Sequence, residues 1–345
     1  MDELSALVEV AGDAVERLAL TPAESLHRAV ATRVFRAVGP LGAPTRLIHD
    51  GVSRAVYSGV RLALRGGFHG AARVASAVPV PRPLTRSRAG RYAVSALNGV
   101  IGDELEARGS ALAIRMTLHP RGAAGPRVAV FVHGLGGSDE QWPQVDLGLS
   151  AVYARYNTGL PVERNGARLA HLLEATLGEW PVPVTELALV GHSMGGLVLR
   201  AACREGMRAG LRWPSLVRQV VTLGTPHGGA PLEKAVHGLA WTLRQLPEAA
   251  PLAVILDTRS AGIKDLRRGS AAPLMAGCRH TFIYATVTRA ESHPVGWAVG
   301  DLLVRARSAR GHEESVSRHL GSLNHFDLLR HPGVYEELRR LLQDG

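Results

Sequence analysis

The chain has 345 residues, 46% of them hydrophobic, which suits one large domain plus an extension and excludes a globally disordered polypeptide. The formal charge is +10, but only two of the 40 basic residues are lysines (Lys234 and Lys264), so arginine dominance beside abundant Ala, Gly and Val reads first as compositional bias. There is no interleaved basic–aromatic cluster or zinc-ligand spacing to point to nucleic acid or a metal, no 18-residue apolar run to cross a membrane, and two cysteines, Cys203 and Cys278, make no disulfide framework.

The N-terminal Met1-Asp2-Glu3-Leu4 lacks the basic start and apolar core of a secretory signal, so the expected location is cytoplasmic. Peripheral contact with an anionic membrane stays open on charge grounds. Residues 1–88 read as a helical extension. Thr21-Pro22-Ala23-Glu24 looks like a helix start, with a Thr cap, Pro at the first position and Glu at the third. A second helix is expected from about Thr45 to Leu64, where Ile48, Val52, Ala55, Val56, Gly59 and Ala63 share a face at helical spacing and Arg46, Arg54, Arg61 and Arg65 fill the remainder. Such a helix either packs that face on the rest of the chain or serves as a lid or membrane-surface element. Pro79 to Pro83 reads as a stiff linker before a larger domain over 89–345.

Within that domain Ala111–Met116 suggests an early strand, and Val128–Val132 a buried one ending in His133-Gly134-Leu135-Gly136-Gly137. Asn165–Leu177 suggests a helix. Leu187–Val190 then runs into Gly191-His192-Ser193-Met194-Gly195 and on into a helical pattern carrying Cys203. A strand entering G-x-S-x-G and leaving as a helix is a nucleophile elbow, which holds a serine exposed on a tight turn. Ser193 is the candidate nucleophile. The N–H groups of Leu135 and Met194 are candidate oxyanion donors, since developing negative charge needs donors already aimed at it. Another strand is expected at Val217–Val221. The stretch 229–278 reads as a cap insertion, with apolar Leu239, Trp241, Leu243, Leu246, Leu252 and Ile255. After the strand-like Thr281–Val287, Asp301 lies on a loop with Glu291 as reserve. His325 lies in a polar break before a terminal helical pattern. Histidine is the usual base near neutral pH and needs a carboxylate to fix its tautomer. The order Ser193, Asp301, His325 is the one this architecture uses.

With these residues the chain resembles the α/β-hydrolase superfamily, and within it the lipase/esterase branch that includes bacterial lipases and GPI-inositol-deacylase-like domains. Thr222-Leu223-Gly224-Thr225-Pro226-His227-Gly228-Gly229 matches the LGTPHxG segment of that branch, and Arg155–Gly159 with Asn165-Gly166 is similar to it. The Gly300-Asp301 turn resembles the family's acid loop, although glycine and valines often follow the acid there and Leu302 follows it here. The resemblance covers about residues 91–345. It implies an α/β fold with a mostly parallel sheet flanked by helices, no metal or cofactor, and an acyl-enzyme mechanism. His227, which precedes the acid, is read as structural or pocket-lining.

The function expected is a serine carboxylester hydrolase acting on a lipid-like or other hydrophobic ester. A thioesterase, acyltransferase or polyester depolymerase would use the same triad, and a non-enzymatic binding protein would keep only the fold.

Overall fold

A computed structural model describes residues 3–16, 20, 24, 27–28, 31–32, 35, 39, 43–77, 84–230, 260–270, 273–310 and 315–343. They fall into two compact units, residues 1–90 with 110–112 and residues 91–109 with 113–345. The helix start at Thr21–Pro22–Ala23, the linker at Pro79–Pro83 and the apolar residues Leu239 to Ile255 of the insertion lie outside the described residues.

The smaller unit holds helices α1 (Glu3–Val15) and α2 (Ala43–Ala77). Their contacts descend along α2 as the partner residue ascends, which is an antiparallel pairing. Ser5 Oγ donates to Ala72 O at 3.0 Å. A Cβ on Gly12 would lie 2.6 Å from Phe68 Cγ, so glycine there lets the two helices close on an aromatic ring. Glu16 takes Arg65 in a two-point pair, and Glu24 takes Arg61 at 2.8 Å. His27 meets Tyr57 and His49 at 3.2 Å each. α2 is thus longer than its apolar pattern suggested, and it turns its polar side inward. Ile48, Val52 and Val56, on the face read as either packed or free to serve as a lid or membrane-surface element, are 68%, 58% and 55% exposed. The inward positions are set by ion pairs and one phenylalanine rather than by the valine stripe.

The larger unit is built on a seven-stranded sheet in the order β1-β3-β2-β4-β5-β6-β7. The strands are β1 (Thr117–Arg121), β2 (Arg127–Val132), β3 (Ser150–Arg155), β4 (Glu186–His192), β5 (Val217–Leu223), β6 (Arg279–Thr286) and β7 (Val316–Gly321). Only β1 pairs antiparallel, against β3. Helices include α3 (Arg88–Ala107), α4 (Val162–Gly178), α5 (Met194–Arg208), α6 (Ala261–Arg268), α7 (Pro294–Val299), α8 (Ala306–Ala309) and α9 (Pro332–Gln343).

Side-chain alternation explains why β2 and β4 read as unbroken apolar runs. Val128, Val130, Leu187 and Leu189 join one core with residues of α4 and α5, while Ala129, Phe131, Ala188 and Val190 join a second core with residues of α9. A parallel sheet covered on both faces needs both sets apolar. This is the α/β architecture expected, and Cys203 is buried in α5 as a small apolar group.

The early strand moves. Ala111–Met116 is not a strand; β1 begins at Thr117. The apolar residues of 111–116 are used as anchors instead, with Ile114 N–H donating to the buried Asn98 Oδ1 at 2.9 Å. β3 carries a short apolar run, Ala151–Ala154, that the sequence reading did not single out, and β7 carries none. Both take their place by pairing, β3 between β1 and β2, and β7 at the edge beside β6.

Candidate active site

All the candidate residues gather at the C-terminal ends of the parallel strands, where ligands bind in open α/β sheets. Ser193 follows β4 and precedes α5, with φ 53° and ψ −123°. That conformation is costly for a residue with a Cβ and persists only where the surroundings impose it. Here they do. Ser193 N–H donates to Leu223 O at 2.8 Å, and its carbonyl accepts Gly196 N–H at 3.1 Å and Thr225 Oγ1 at 2.9 Å. A Cβ on Gly195 would run into the carbonyl oxygens of Val132 and His133, so only glycine lets the elbow cross the end of β2.

The loop after β2 lies directly against the serine, since a Cβ on Gly134 would stand 2.8 Å from Ser193 Cβ. It is braced from behind. Gly136 N–H donates to Thr158 Oγ1 at 3.0 Å, Tyr156 OH donates to His133 O at 2.7 Å, and Gly137 N–H donates to Gly134 O at 3.1 Å. Among the described residues, no protein acceptor takes Leu135 N–H. Met194 N–H stands at the first position of α5, where no acceptor lies within the helix. Two donors beside the serine are therefore uncommitted.

His325 lies between β7 and α9, and Asp301 between α7 and α8. His325 Nδ1 meets Asp301 Oδ2 at 2.7 Å, with both side chains almost fully buried. Because a carboxylate only accepts, Nδ1 carries the proton and Nε2 is left with its lone pair. The other carboxylate oxygen, Oδ1, accepts Leu303 N–H at 3.0 Å and Val304 N–H at 2.7 Å, while His325 N–H donates to Asp301 O at 2.9 Å. The turn making those bonds places Leu302 at φ 82°, the left-handed region that favours the glycine seen in the resembling family.

Glu291 is elsewhere: it takes Tyr284 OH and lies 3.5 Å from Arg310 Nη1. It also raises the Tyr284 hydroxyl pKa, second to burial. Of the two carboxylates considered, the fold brings Asp301 to the histidine.

No hydrogen bond joins Ser193 Oγ to His325. They approach through neighbours: the ring of His192 is 4.8 Å from that of His325, and a Cβ on Gly224, next to the Leu223 carbonyl that holds Ser193, would lie 3.2 Å from both His325 Cε1 and Asp301 Oδ2. Such bonds are often long without substrate and tighten on binding.

Three supporting residues escaped the sequence reading. His192 Nε2 donates to His325 O at 3.1 Å, tying the strand before Ser193 to the histidine loop. Burial, then the nearby His325 ring, pushes the His192 imidazole well below its ordinary range, so it is neutral. His133 is stacked on Tyr156, bonded to Gly134 O at 2.9 Å, and driven by burial down to about 4. Thr158 is the third. The one signal for the histidines was a polar residue at the end of each buried apolar strand. His227 stacks on Phe282 at 4.2 Å and bonds Thr222 Oγ1 and Arg200 Nη1 at 3.1 Å each, in keeping with a structural role.

The sheet order, the crossover helices and the strained serine elbow together define an α/β-hydrolase fold. A family model described as the PGAP1-like alpha/beta domain matches residues 176–250, the stretch that contains β4, the elbow, α5 and β5. No curated protein matches the chain. Among solved structures, the mature lipase BlEst2 of Bacillus licheniformis is 21% identical with a TM-score of 0.45, covering 66% of this chain and 98% of that one. The RedJ thioesterase of Streptomyces coelicolor prodiginine biosynthesis is 20% identical with a TM-score of 0.42, covering 64% and 91%. The type II thioesterase YbtT of the yersiniabactin pathway is 18% identical with a TM-score of 0.43, covering 66% and 98%.

Proposed function

We propose that the protein is a serine hydrolase that cleaves a hydrophobic carboxylic ester through an acyl-enzyme. The observation that carries this reading is the buried Asp301–His325 pair at 2.7 Å beside a serine held at positive φ. Ser193 Oγ attacks the ester carbonyl, and its proton passes to His325 Nε2. Asp301 holds the imidazole in the tautomer that leaves Nε2 free and stabilises the imidazolium that forms. The N–H groups of Leu135 and Met194 receive the negative charge on the tetrahedral oxygen. His325 then returns the proton to the leaving alcohol, and water hydrolyses the acyl-serine by the same steps in reverse order. The hydrophobic substrate class rests on the LGTPHxG resemblance at Thr222–Gly229.

Hydrolysis of p-nitrophenyl esters from acetate to palmitate, with Ser193→Ala as control, tests the reading. Wild-type turnover should fall by about 10⁴-fold or more in the variant, with the circular dichroism spectrum unchanged. Turnover retained by Ser193→Ala sinks the serine assignment. Serine-dependent cleavage confined to acyl-thioesters keeps the triad and replaces the substrate class.

A further inference from the structure

α2 is amphipathic in the reverse sense. Its inward side carries His49, Asp50, Tyr57, Arg61 and Phe68, while Ile48, Val52, Ala55, Val56, Gly59 and Ala63 form an outward strip. At 100° per residue those six positions span roughly a third of the helix circumference. Between Pro44 and Gly70 no ionisable side chain falls inside that span. Leu62, 73% exposed, widens the apolar surface at its edge, while Leu47, 72% exposed, stands about 80° round the helix from it. A water-facing helix does not ordinarily present such a strip.

The charges around the strip say what would cover it. α2 contains five arginines and one carboxylate, Asp50. Arg61 and Arg65 are engaged by acids on the packed side, and Arg46 lies 3.6 Å from Asp50. The strip runs on through Gly66 and Gly70 to Arg73, an exposed residue that closes its C-terminal end. Arg54 stands about 100° round the helix from the strip's edge, beyond Leu62. It too is exposed, with Nε donating to Asp50 O at 3.1 Å. A side chain of that length can reach past the leucine to the border of the strip. The chain as a whole carries +10. Two copies meeting face to face would bring like charges together, whereas an anionic lipid surface suits both the apolar strip and the net positive charge of the helix that carries it. No described helix is long and apolar enough to cross a membrane, so the geometry is that of a helix lying in the interface.

We propose that α2 docks the protein on anionic lipid bilayers through Ile48, Val52, Val56 and the neighbouring small residues, with Arg54 and Arg73 at the headgroups.

The test is flotation of the full chain with vesicles of phosphatidylglycerol and phosphatidylcholine against phosphatidylcholine alone. Binding should require the anionic lipid and weaken as salt is raised. The double variant Val52→Asp/Val56→Asp should lose about ten-fold or more in partitioning, with its unfolding midpoint held near that of the wild type. Arg54→Ala and Arg73→Ala should each lose about five-fold on anionic vesicles. Ser193→Ala should float like the wild type, so failure of the hydrolase reading leaves this one standing. Absence of wild-type flotation, or equal flotation by the Asp variant, overturns the proposal. So does a dimer in light scattering that Val52→Asp/Val56→Asp abolishes while vesicles recruit nothing, since the strip would then face a second copy.

Discussion

α5 and α2 are both helices with an apolar stripe, and they treat it in opposite ways. α5 buries Leu197, Val198, Ala201 and Ala202 against β2, β4 and α4, and its first residue follows a serine held at positive φ. α2 keeps its ion pairs inward and its valines outward. The difference shows that periodicity identifies a helix and its apolar face, but not whether that face is covered. Coverage depends on what the neighbouring elements offer, and in the smaller unit they offer acids and histidines.

The largest contrast should come from the proposed active site at the end of the sheet. Asp301→Asn should lower esterase kcat/KM by about 10²–10⁴-fold, because an amide at that position favours the wrong imidazole tautomer. Glu291→Gln, at the Tyr284 hydroxyl, should stay within about two-fold. Equal losses in the two variants would remove Asp301 from the role proposed for it.

Next in size is the stripe itself. Val198→Asp places a charge where the side chain is fully buried and should cost more than about 4 kcal/mol, abolishing the folded state. Val56→Asp, at a position 55% exposed, should change the stability read from urea unfolding by no more than about 0.5 kcal/mol. Comparable destabilisation by both would mean that the α2 strip is covered in the monomer.

A pH effect of intermediate size belongs to the buried histidines of the larger unit. The folded value of His133 lies at about 4, below the ordinary 6.5, so folding favours its neutral form. Its contribution is complete above 6.5 and is lost as pH falls toward 4, on the order of 3 kcal/mol in all. His192 is shifted in the same direction and adds to the slope. Urea midpoints measured at steps from about pH 7 down to about 4 should therefore fall. A flat series would contradict the burial of these imidazoles as neutral groups.

The smallest effect is a stabilisation. Leu302 is 52% exposed and sits at φ 82°, so glycine there should relieve backbone strain of about 1 kcal/mol with little packing lost. The Tm should rise by a few degrees with esterase activity unchanged. A fall in Tm would show that Leu302 packs better than its exposure indicates.

By itself the amino-acid sequence determined what depends on near neighbours along the chain. A fully apolar run means a strand covered on both faces, and glycines at 191 and 195 around Ser193 mean a turn that no larger residue could make; β4, the elbow and α5 follow from that local chemistry. The same holds for β2 with the glycine loop after it, and for the order in which serine, acid and histidine occur. Tertiary structure alone decided what depends on distant partners. Asp301 and Glu291 are equally acidic loop residues on paper, and only the pairing of β6 with β7, with the turn at Leu302, brings the first to His325 and leaves the second at Tyr284. Ala111–Met116 has strand composition, but Asn98 claims its backbone first. β7, with alternating exposed and half-buried residues, becomes a strand because β6 presents an open edge. The α2 face follows the same rule: its stripe was readable, but its orientation was set by Glu16, Glu24 and His27, residues 22 to 49 positions away from the side chains they hold, through pair and burial energies that no local pattern encodes.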